Sequence, residues 1–129
     1  MRTIKGSLVV LLFYSLVVFV SPDFAQGNNS GFVLPPDPGK AGKVTLLGID
    51  TDGDGVRDDI QRYIYFTYPD DKKLRLGLTY YAIEFQGVLK DANDREAAYD
   101  HANKMARHGE CLWYLKGEKS IDIRRALRA

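Results

Sequence analysis

Between Asp50 and Asp59 the chain places five aspartates in ten residues, with Arg57 the only base among them, a local charge of −4. No other stretch restricts the fold so firmly. Neighbouring like charges repel, so this segment belongs at a surface or around a counter-ion, not inside an apolar core. Asp50, Asp52 and Asp54 alternate with Thr51, Gly53 and Gly55, a composition that disfavours a helix and specifies a turning loop. Alternate side chains of such a loop face one side, and several oxygen donors converging there are what a hard cation such as calcium requires. An ordinary Asp-Gly turn uses one or two such residues, and five in register point to calcium as the ligand.

The stretch Gly48 to Asp59 resembles the loop of EF-hand proteins. On that resemblance Asp50, Asp52 and Asp54 take the first, third and fifth loop positions, Gly55 the sharp turn, the Val56 carbonyl the seventh and Asp58 the ninth. The closing position falls on Gln61, where an EF-hand has a bidentate glutamate. The pattern is therefore closer to the shorter Asp-x-Asp-x-Asp-Gly-x-x-Asp loops of thrombospondin type 3 repeats and integrin α-subunits, in which Asp58 or Asp59 would supply the last carboxylate. The implied metal ligands are Asp50, Asp52, Asp54, Val56, Asp58 and Asp59. A wider likeness, over about residues 34–68, is to small exported bacterial proteins in which a Leu-Pro-Pro-Asp-Pro-Gly segment precedes such a loop and a helical remainder. That likeness implies export and no reaction.

Export is also written at the N-terminus. Arg2 and Lys5 precede an unbroken apolar run from Leu8 to Val20, too short for a spanning helix and suited to a signal peptide, and Pro22 follows. The reading is a signal peptide over 1–25 with cleavage after Ala25, an uncleaved anchor being the alternative. Without Arg2, Lys5 and Asp23, the 18 basic and 17 acidic residues of the whole chain fall to 16 each. A neutral chain argues against a nucleic-acid partner, which calls for a basic stripe. The expected location is secreted or periplasmic, with no membrane attachment after cleavage.

Residues 26–42, rich in Gly, Asn, Ser and Pro, read as a flexible linker because Pro35, Pro36 and Pro38 forbid a helix. Lys43 to Ile49 reads as either a short strand or an extended lead. From there to residue 129 the pattern is that of a small, mainly α domain of three helices with a short fourth. The first starts at Asp58 and Asp59, carries Ile60, Tyr63, Ile64 and Thr67 on one face, and stops before Pro69. The second runs from near Asp70 and Asp71 to Lys90 on a stripe of Leu74, Leu78, Tyr81, Ala82, Phe85 and Leu89. Leu76, Tyr80 and Ile83 give it a second apolar face and suggest a protein partner there, while Gly77 and Gly87 suggest close helix contacts. Asn93 and Glu96 form a capping-box pattern for the third helix, whose small-residue stripe is Ala98, Ala102, Met105, Gly109 and Leu112, with Gly117 as its stop. Ile121, Ile123, Ala126 and Leu127 suit the short fourth.

Other chemistry is thinly represented. His101, His108, Glu110 and Cys111 offer transition-metal ligands without an obvious point of convergence. The single Cys111 allows no intrachain disulfide and, beside Leu112 and Trp113, is expected to be buried. No nucleophile-and-base pattern is present, so the chain is not read as an enzyme. Its aromatic residues, Tyr63 to Tyr68, Tyr80, Tyr81, Phe85 and Trp113, are expected in the core. The resulting expectation is an exported calcium-binding protein whose ion is structural, acting as a binding or interaction module. The alternative is an accessory domain or small hydrolase acting on envelope polymers, with the aromatics as its platform.

Overall fold

The computed structural model describes residues 33–128 of the 129. The expected signal segment over 1–25, its cleavage after Ala25 and the first part of the linker lie outside the described residues. Within them the protein is mainly helical and contains no strand: a short 3₁₀ turn at Gly39–Lys43, then α1 (Asp58–Thr67), α2 (Lys72–Lys90), α3 (Arg95–Lys116) and α4 (Lys119–Ala126). None of these helices is long and apolar enough to cross a membrane.

Each helix begins and ends where local chemistry allows. Asp71 caps α2 by accepting the Leu74 N–H at 2.9 Å, which satisfies one of the amide groups a helix start leaves unpaired. At α3 the cap is Asp94 and not Asn93. Its extended backbone lets one carboxylate oxygen accept from the N–H groups of both Glu96 and Ala97, each at 3.1 Å. Gly117 ends α3 with φ of 56°, its N–H bonded to the Trp113 carbonyl, a conformation that glycine adopts without a Cβ clash.

Antiparallel packing of α2 on α3 forms the body of the protein. Leu74, Leu78, Tyr81 and Ala82 of α2 meet Leu112 of α3, with Ile64 of α1, Val56 of the loop and Leu127 beyond α4 completing the buried cluster. Each such side chain stabilises the fold by about 1.5–3 kcal/mol relative to exposure. Gly77 permits the close approach, because a Cβ there would lie 3.0 Å from Leu112 Cδ2. Phe85 and Leu89, expected on the same stripe, are only partly buried and line a cavity of about 70 Å³ with Val56, Ile60 and Leu127.

Three expectations about burial are corrected. On α1 the buried residues are Asp58, Gln61 and Ile64, whereas Tyr63 and Thr67 face solvent, so this helix turns a partly polar face inward. Cys111 is exposed, because it stands one residue round the helix from Leu112, the position that enters the core. Most of the aromatics are not core either. Tyr81 is buried, but Tyr63, Phe66, Tyr80 and Trp113 are exposed, since the aliphatic α2–α3 seam leaves little interior for rings. Leu76 and Tyr80 are among the exposed residues on α2.

Lys43 to Ile49 forms no strand, and the proline-rich segment before it is packed. Pro35 and Gly42 are buried, and Arg62 Nη1 of α1 donates to the Pro35 carbonyl at 2.9 Å. The packed part of the chain thus begins before residue 43, with its proline-rich segment laid on α1.

Candidate metal centre

Several contacts hold the acidic loop against the helices. Val56 inserts its side chain into the core. The Asp58 N–H donates to the Ile49 carbonyl at 2.8 Å, closing the loop at its base, and Gln86 Nε2 of α2 donates to the Leu47 carbonyl at 2.5 Å. Gly53 and Gly55 carry φ of 72° and 88°, values that a side chain would strain, and so the glycines let the backbone turn between successive aspartates.

The turn brings the side chains of Asp50, Asp52 and Asp58 together, with one carboxylate oxygen of each within 4.8 Å of the others. Such a group could hold a metal ion. Asp50 spans the turn, accepting the N–H groups of Gly53 at 2.8 Å and Gly55 at 3.0 Å on its two oxygens. Asp52 accepts the Asp54 N–H at 3.3 Å. Asp58 is completely buried, its two oxygens taken by the Thr51 N–H at 2.9 Å and the Thr51 hydroxyl at 2.5 Å. None of the ion pairs among the described residues reaches any of these three carboxylates.

The other residues expected as ligands are differently engaged. Asp54 Oδ1 accepts the Val56 N–H at 2.8 Å and its Oδ2 accepts from Gln61 Nε2 at 2.7 Å, leaving it beside the group of three and not in it. Partial burial raises its pKa above the ordinary aspartate value, and the charges of Asp52, Asp50 and Asp58 add to this, while the Val56 N–H works against it. Asp59 turns away altogether: both its oxygens receive the Arg57 guanidinium, at 3.0 and 2.7 Å. Of the two candidates for the closing carboxylate, Asp58 is therefore the one that faces the loop. Val56 is fixed by its buried side chain.

Gln61 is the residue whose part in this arrangement sequence reasoning missed. It lies in the first turns of α1, almost fully buried, and its amide reaches back to Asp54 and, at 3.4 Å, to Asp52. Its spacing from Asp50 was the available signal.

The histidine and cysteine set does not converge. His101 sits between Glu84 Oε2 at 2.6 Å and Asp91 Oδ2 at 3.3 Å, His108 stacks on Tyr80 at 5.5 Å, and Cys111 is exposed. Compared with protein families, curated proteins and solved structures, the chain finds no match.

Proposed function

We propose that the protein is an exported calcium-binding module in which the ion is structural, tying the acidic loop to the start of α1. The observation that carries this reading is Asp58, a fully buried carboxylate beside Asp50 and Asp52 with no basic partner. Removing a carboxylate from water without a counter-charge costs several kcal/mol after relaxation, and two bonds from Thr51 offset only part of that. A divalent cation among the three oxygens supplies the missing charge. Calcium suits the donors, because all are oxygen and an irregular loop tolerates its flexible geometry better than the strict octahedron of magnesium. Abundant calcium outside the cell would keep even a weak site loaded, so the ion acts as a permanent clasp and no signalling role is needed.

Calcium titration followed by thermal unfolding tests the proposal. At a free concentration a hundred times the Kd, one site stabilises by about 2.7 kcal/mol, equivalent to a rise in Tm of roughly 10 °C or more for a domain of this size. Asp58→Asn and Asp50→Asn should abolish the calcium-dependent part of that rise. An unchanged Tm with calcium, together with no heat of binding, removes the reading.

A further inference from the structure

Inside the loop one polar atom is left without a partner. Gln61 is 5% exposed, and while its Nε2 donates to Asp54 and Asp52, its Oε1 is buried with no hydrogen-bond partner. Buried amide oxygens are rarely left in this state, and each instance calls for an explanation. Two features of the site supply one. The side chain springs from α1 and crosses back over the acidic turn, so that its amide lies against two of the loop's carboxylates. The torsion that places Oε1 and Nε2 is broad and close to two-fold, so a half-turn of the amide exchanges the two atoms.

From this we infer that Gln61 closes the cation site with its amide oxygen, as a neutral ligand on α1 where a carboxylate would otherwise stand. The inference rests on the calcium reading above. Without an ion, an oxygen facing Asp54 and Asp52 would repel them, and the amide presents its N–H side. With an ion among the carboxylates the preference reverses, because the cation accepts a lone pair from Oε1 and repels the amide hydrogens. The half-turn gives up the two bonds from Nε2 to Asp54 and Asp52, and a coordination bond to a divalent cation, stronger than a bond to a neutral donor, takes their place. Closure by an amide also has a character of its own. It adds no negative charge and one oxygen in place of two, which sets affinity at the weak end and makes the first turn of α1 part of the site.

The test is calcium calorimetry on the full chain as wild type, Gln61→Glu and Gln61→Met, with side-chain amide NMR of the wild type. Glutamate adds a charge and a second oxygen and should tighten binding by about tenfold or more, and methionine, which fills similar space without a donor oxygen, should weaken it about tenfold. The Gln61 amide signals should shift on loading and level off along the same binding curve as the calorimetric titration. Methionine binding within twofold of wild type, or Gln61 amide signals unmoved by loading, overturns the inference while leaving calcium at the aspartates. A wild type that binds no calcium overturns both. Helical circular dichroism checks the methionine variant, and if it fails to fold, the glutamate variant and the amide signals decide the matter.

Discussion

Asn93 and Asp94 are neighbours of the same helix-capping class, and only one of them caps. Asp94 accepts two backbone N–H groups of α3, whereas no such bond comes from Asn93. Asp94→Ala should therefore destabilise the protein by about 1 kcal/mol, while Asn93→Ala should stay within about 0.5 kcal/mol of wild type, both by urea denaturation. The choice between them was illegible in sequence because it depends on which residue the α2–α3 turn leaves with extended backbone. The same limit applied at the loop. Aspartate spacing marked Asp50, Asp52, Asp54 and Asp58 alike, since alternation follows from local geometry, and it did not show that Asp54 would stand beside the group of three, bonded to Gln61. That Asp59 would turn to Arg57 depends on side-chain competition that spacing does not encode. Gln61 is an amide in a carboxylate's position, and what brings it into the site is its burial beside Asp54, which spacing does not encode.

At the scale of elements, helix bounds were the most legible feature. Pro69, Gly117 and the acidic residues at helix starts act within a turn or two, and α1, α2 and α3 end within a residue or two of where those signals place them. Faces were less legible than bounds. The inward face of α1 is set by the loop it must meet, not by its own apolar residues, and this is why Gln61 displaced Tyr63. Between elements, Asp71 at the start of α2 pairs with Lys116 at the end of α3, at 2.7 Å. The Lys116 ammonium, followed by the Leu74 N–H, lowers the Asp71 pKa below the ordinary 3.8. A lowered folded-state value means the unfolded chain binds the proton more readily, so this pairing contributes its full stability above about pH 4 and loses it as pH falls through the folded value. Thermal unfolding between pH 5 and pH 2 should show Asp71→Asn with a shallower acid loss than wild type, and parallel profiles would exclude the contribution.

For the molecule as a whole, the structure moves the start of the folded part towards the N-terminus. Proline content correctly excluded a helix over 34–38 but gave no sign that the segment would lie on α1, because docking depends on Arg62, 27 residues further on. A chain beginning at residue 43 should be less stable than one beginning at 33 by about 1 kcal/mol or more, from the loss of the Arg62–Pro35 bond and the burial around it. Equal denaturation midpoints would show that the segment adds nothing. The exposed rings likewise reflect a property no single residue states: a two-helix seam sealed by glycine and leucine takes in Tyr81 and leaves Tyr63, Phe66, Tyr80 and Trp113 outside. That seam is pinned near both ends, by Asp71 with Lys116 at one and by His101 between Glu84 and Asp91 at the other, with Leu112 seated on Gly77 between them. Sliding one helix past the other by a turn, about 5.4 Å, would break both clasps together and lift the leucine from its notch. The hairpin is thereby keyed to a single register, like a shaft locked by pins at its two ends.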